Sequence, residues 1–135
     1  MSADVIPRSY CVAIVGASPK PERHSYLAVV KYHTAGWTVW PINPTGTAVA
    51  GIPALRSLRE LPGSPDIVCM YVNPTIGLAQ LDDIVAVAPK QLWLNPGADG
   101  EPLASAARAR GLRVIEACTL VVLGYGNPLE VIDRR

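Results

Sequence analysis

The chain has 135 residues, half of them hydrophobic, and its 12 Lys and Arg stand against 11 Asp and Glu for a net charge of +1. That length predicts one domain around one core, and the scattered cations exclude the concentrated basic surface that nucleic-acid binding requires. Charged residues or prolines interrupt every apolar stretch short of the roughly 18 residues of a membrane span, and MSADVIPRSY lacks a signal-cleavage site, so a cytoplasmic protein is expected.

In chain order, the apolar run 12–15 predicts a buried strand, after which Gly16 and Ser18 open a turn and Lys20 and Arg23 supply charge. Residues 26–35 predict a helix stopped by Gly36, and 38–42 a second strand. The link 45–65 holds six glycines and prolines, with one turn of helix expected at 57–61; it is the weakest crossover. A third strand follows at 66–71. Thr75 is the expected cap of a helix whose Leu81, Ile84, Val85 and Ala88 repeat at helical spacing, and 91–94 is the fourth strand. Leu103, Ala106 and Ala107 mark a shorter helix ending at Gly111, before a fifth strand at 113–116. The apolar ending 119–126 suits an interface or an extension of the sheet equally well.

Strand starts at 12, 38, 66, 91 and 113 are spaced as strand, helix and two loops require. Together with right-handed crossovers, they predict an α/β fold: a Rossmann-like, doubly wound, parallel five-stranded sheet with helices on both faces. In such sheets ligands bind beyond the carboxyl ends of the strands, which is where the unusual residues fall. A strand that passes through a glycine turn into a helix points backbone N–H groups and the positive helix end at one place, favouring a phosphate. Asn43-Pro44, Asn73-Pro74 and Asn95-Pro96 recur at the next three strand ends, each reading as turn chemistry or as a ligand contact.

A dinucleotide fingerprint is not met, because Ser18 and Pro21 stand where its second and third glycines belong, and Asn43 stands where an acid would hold the ribose of NAD. The segments VAIVGASPKPERHSY, GWTVWPINP, DIVCMYVNP, LWLNPG and GLRVIEAC instead resemble the stand-alone CoA-binding domain proteins, similar to the N-terminal domain of the succinyl-CoA synthetase α subunit. The resemblance spans about 12–118. It implies coenzyme A or an acyl-CoA as ligand, with Gly16, Ser18 and Lys20 against its phosphates and the turns Asn43-Pro44 and Val72-Asn73-Pro74 beside the adenosine and the start of the pantetheine arm. Ala17, Arg23, His24, Ser25, Ile76, Pro96 and Gly97 complete the expected cofactor site.

No catalytic or metal-binding constellation is legible. His24 and His33 lack acid/base partners, adjacent Asp82 and Asp83 point apart on a helix, and three cysteines without a CxxC pair read as buried reduced thiols. Trp37, Trp40 and Trp93 read as packing anchors. The synthetase's phosphorylated histidine lies in a second domain, for which this chain has no room. The expected function is therefore CoA binding without self-contained catalysis; the alternatives are a small NAD(P)-binding oxidoreductase and a nucleotide-sensing regulatory domain, with a homo-oligomer or protein partner possible.

Overall fold

The structure, a computed structural model, describes residues 10–131. Five strands, β1 (Cys11–Val15), β2 (Thr38–Ile42), β3 (Ile67–Met70), β4 (Gln91–Leu94) and β5 (Val114–Glu116), form one all-parallel sheet in the order β2-β1-β3-β4-β5. The α/β Rossmann-like architecture expected from the strand spacing is therefore present. Every side chain of β3 and β4 is buried, as expected for parallel strands covered on both faces.

Successive strand residues feed two cores. On one face Ala13, Val15, Val68, Met70, Leu92 and Leu94 meet Leu81 and Ile84 of α3 (Leu81–Val87) and Leu103 and Ala107 of α4 (Leu103–Ala109). On the other, Val12, Ile14, Ile67, Cys69 and Trp93 meet Ala28, Val29 and Tyr32 of α1 (His24–Thr34), with Leu120 and Leu123 of α5 (Thr119–Leu123) at the margin. Tyr32 also packs edge-on against Trp37, their ring centroids 4.9 Å apart. Trp37 and Trp93 are thus anchors, whereas Trp40 is only half-buried.

The departures from expectation are local. The third strand stops at Met70, so Tyr71 belongs to the turn that follows. Asn73, not Thr75, caps the next helix: its Oδ1 accepts from the Ile76 N–H at 2.9 Å, and Thr75 lies inside α2 (Pro74–Ala79). That helix breaks at Gln80 before α3. The weak crossover contains one short 3₁₀ turn, Leu58–Glu60, capped by Ser57. The apolar ending neither extends the sheet nor stays extended; it forms α5. Asp82 and Asp83 diverge as expected, pairing with Arg110 and Arg59 at 2.8 Å each. Of the three thiols Cys69 alone is fully buried, and Cys11 and Cys118 are half-buried, a correction to the expectation that all three lie inside. Among the described residues no helix is long and apolar enough to cross a membrane.

The chain turns from β1 to β2 on one side and then returns to place β3 on the other, so the winding reverses between β1 and β3. This is the topological switch point, where open α/β sheets leave a crevice at their carboxyl edge.

Candidate functional site

The turns after β1 and β3 meet at that crevice. Gly16 has φ +83°, and a Cβ there would lie 2.9 Å from Val72 Cγ1 and 3.1 Å from the Tyr71 carbonyl carbon. Two lobes open on either side of this contact. One, of about 370 Å³, is lined by Gly16, Ser18, Lys20, Arg23, His24, Ser25 and Tyr71. The other, of about 160 Å³, is lined by apolar Val15, Ile42, Val72 and Ile76 together with Asn43, Pro44, Arg56 and Gln80, and it too includes Gly16.

Backbone donors in the first turn are not arranged as the sequence suggests. The N–H groups of Gly16 and Ala17 both donate to the Ile42 carbonyl, at 2.9 and 3.0 Å, tying the loop to the end of β2. The Ser18 N–H donates to Ser25 Oγ at 3.0 Å, and the Lys20 N–H to Ser18 Oγ at 3.1 Å. The loop amides named here are therefore engaged by the polypeptide's own acceptors. What faces the polar lobe instead is the start of α1: its N-cap, Arg23, makes no side-chain cap bond, so the first helical N–H groups are left without that partner. Lys20, Arg23 and His24 are exposed there. A helix N-terminus flanked by two fixed cations attracts an anion by dipole and by charge.

The three Asn-Pro pairs have diverged in role. Asn43 is buried, its Nδ2 donating to the carbonyls of Ala17 (3.2 Å) and Thr47 (2.8 Å) while its Oδ1 accepts from the Thr47 N–H. It fixes the floor of the apolar lobe. Asn73 is the exposed cap of α2. Asn95, fully buried, donates to the Met70 carbonyl at 3.2 Å and accepts from the Thr119 N–H at 2.8 Å, stitching β3 to the start of α5. All three amides serve the polypeptide's own turns. Pro96 and Gly97 are exposed beyond β4 and line neither lobe.

The sequence reading missed Tyr71, Arg56 and Gln80. Tyr71 ends the run DIVCMY and so reads in the sequence as the last residue of a strand. Its hydroxyl is buried without a hydrogen-bond partner among the described residues, and burial, reinforced by Cys69 and Cys118, raises its pKa so that it remains a neutral donor. The Gln80 Oε1 is likewise buried and unpartnered. Arg56 had no local signal at all.

Behind the polar lobe, the Tyr32 hydroxyl bonds Thr119 Oγ1 and approaches Cys69 Sγ. Burial pushes the Cys69 thiol up to about 12, against the lowering effect of its neighbours' hydrogen bonds. An unfolded thiol ionises near 9.0 while the folded one stays protonated, so Cys69 subtracts stability as pH rises from about 9 towards 12. Urea unfolding at pH 8, 9 and 10 is expected to show a decline that approaches about 1.4 kcal/mol per pH unit at most from this group. The decline should be shallower in Cys69→Ala; parallel curves for the two proteins would contradict this assignment.

Among the described residues no three His, Cys, Asp or Glu come together as a metal site.

Comparison with known proteins places the chain. The sequence pattern described as the CoA binding domain matches residues 10–124. The chain belongs to the CoA binding domain family. The match continues past β5 through α5, further than the resemblance read from sequence motifs. Family membership supports CoA binding as the general function. The protein YneT of Bacillus subtilis is 27% identical over 112 residues, covering 83% of each chain. The crystal structure of an uncharacterized protein superposes with a TM-score of 0.79 at 28% identity, covering 88% of this chain and 98% of the other. A conserved hypothetical protein from Pyrococcus furiosus gives 0.72 at 25%, covering 87% and 99%. A dinucleotide-forming acetyl-coenzyme A synthetase of Ca. Korarchaeum cryptofilum, in complex with phosphate and ADP, shares the fold at TM-score 0.65 and 24% identity; 79% of this chain corresponds to 25% of that one.

Proposed function

We propose that this CoA binding domain protein is a single domain that holds coenzyme A or an acyl-CoA across the two-lobed crevice, and that it carries no complete reaction of its own. The observation that carries this reading is the joining, at Gly16, of a cationic lobe at the α1 N-terminus to an apolar lobe floored by Asn43-Pro44. Coenzyme A has the matching parts, a diphosphate next to an adenosine. Lys20, Arg23, His24 and the first N–H groups of α1, with the hydroxyls of Ser18 and Ser25, suit the diphosphate. Val15, Ile42, Val72 and Ile76 suit the adenine face. Gly16 and Ala17 act by letting the backbone pass close, and Asn43, Pro44, Asn73 and Pro74 by shaping the turns. Pro96 and Gly97 lie outside both lobes and are left as candidates for the distal arm only.

An NAD-binding oxidoreductase is disfavoured by the apolar lobe, whose lining holds an arginine and no carboxylate, where NAD needs an acid for its ribose. Calorimetric titration with CoA, acetyl-CoA, ATP, NAD and NADP tests the proposal. CoA or acetyl-CoA is expected to bind most tightly, and binding of NAD without CoA would refute it. Lys20→Ala is expected to weaken CoA by about 1–3 kcal/mol, roughly 5- to 150-fold, through loss of a charge-assisted phosphate contact. An unchanged affinity would remove Lys20 from the site.

A further inference from the structure

Arg56 lies forty residues from Gly16 in the pattern-poor link, yet the fold delivers it to the same crevice. Leu55 forms a parallel bridge with Ile42. Its N–H donates to the Pro41 carbonyl at 2.8 Å, and its carbonyl accepts from the Asn43 N–H at 3.0 Å. The link thus touches the outer edge of β2 at this one bridge, and the next residue, Arg56, lines the same lobe as Pro44. Gly46, in the turn across from it, has φ +68°, and a Cβ there would stand 3.3 Å from both Cγ and Nε of Arg56. The missing side chain leaves the channel in which the arginine stem lies.

The guanidinium has no ion-pair partner among the described residues, and Glu60 engages this residue through its backbone N–H at 2.6 Å. An exposed arginine, backed by a glycine and lining a lobe with no other charged side chain, is a second cationic position, in the lobe across Gly16 from Lys20 and Arg23. A diphosphate explains only the first. Guanidinium geometry suits a phosphomonoester, to which it donates two parallel hydrogen bonds.

We infer that Arg56 reads a phosphomonoester on the adenosine ribose of the ligand and sets the protein's selectivity for phosphorylated over unphosphorylated ribose. The inference rests on the two-lobed CoA reading above, and two sources supply that chemistry: the 3′-phosphate of coenzyme A and the 2′-phosphate of NADP. Membership of the CoA binding domain family favours the former.

The test is titration of the wild type, Arg56→Ala and Arg56→Lys with CoA, dephospho-CoA and NADP, with thermal melting of each variant as a folding control. The wild type is expected to prefer CoA over dephospho-CoA at least about tenfold. Arg56→Ala should weaken CoA by roughly 10- to 100-fold while leaving dephospho-CoA unchanged, so that the two affinities converge, and Arg56→Lys should recover part of the difference. Equal weakening of both ligands, or of neither, overturns the role of Arg56 and leaves CoA binding standing. A wild type that binds NADP and not CoA, or binds no nucleotide of the three, overturns both.

Discussion

Gly16→Ala is expected to cripple the protein twice over, in stability and in binding. At φ +83° an alanine is strained by about 1–3 kcal/mol. Its Cβ would also press on Val72 Cγ1 at 2.9 Å and on the Tyr71 carbonyl carbon and oxygen at 3.1 and 3.2 Å. The Val72 methyl can rotate away, but the Tyr71 backbone is fixed by its N–H bond to the Val15 carbonyl at 2.9 Å. Relief therefore requires the turns after β1 and β3 to separate, at a further cost of about 1–3 kcal/mol typical of overpacking. The sum, roughly 2–6 kcal/mol, is a large share of the stability of a domain this size. Because Gly16 belongs to both lobes, the same separation breaks their alignment, and CoA affinity should fall at least about tenfold. Thermal melting and calorimetry at a temperature where the variant is folded measure the two effects independently. A variant that melts and binds like the wild type would show that the close approach of these turns does not define the site.

The two ends of that contact differ in how well the sequence announces them. Strand positions are legible because parallel strands buried on both faces appear as unbroken apolar runs, and regular spacing then implies a parallel, doubly wound sheet, though not its strand order. The glycine turn, the charges after it and the start of a helix were legible for the same reason: they are consecutive. What could not be read was where the turn's N–H groups go. The acceptors for Gly16, Ala17 and Ser18 are the carbonyl of Ile42 and the hydroxyl of Ser25, one supplied by another strand and the other by the following helix. Loop sequence alone shows donors but not acceptors. Arg56 was invisible on the same principle, since only the edge pairing of Leu55 with β2 brings it to the crevice.

The break at Gln80 has a similar origin. Periodicity predicts a helix through 81–88, yet α2 and α3 are separate. Gly77, within α2, faces Leu103 of α4, whose Cδ2 would lie 2.6 Å from a Cβ at that position. This packing seats α2 close to α4, and the turn at Gln80 lets α3 cover the sheet separately. The consequence reaches the site, because α2 carries Ile76 and the break carries Gln80, both lining the apolar lobe.

Asn95→Ala is expected to be among the most damaging single changes outside the lobes, although the sequence presents Asn95 as one of three equivalent Asn-Pro pairs. Its amide bridges the Met70 carbonyl and the Thr119 N–H in a fully buried position, so truncation leaves a buried acceptor and a buried donor without their side-chain partner. Each such group costs about 1–3 kcal/mol, giving roughly 2–6 kcal/mol in total. Asn73→Ala, by contrast, removes one exposed cap bond and should cost about 0.5–2 kcal/mol. Urea unfolding should show the midpoint of Asn95→Ala displaced well beyond that of Asn73→Ala, with slopes unchanged in both. CoA affinity measured on folded Asn95→Ala should stay within a few fold of wild type, since Asn95 lines neither lobe. Equal midpoints would mean that the β3 to α5 stitch is not a distinct support. If affinity collapsed while the fold remained intact, Asn95 would belong to the ligand site after all, and the echo of Asn-Pro pairs would be functional instead of architectural.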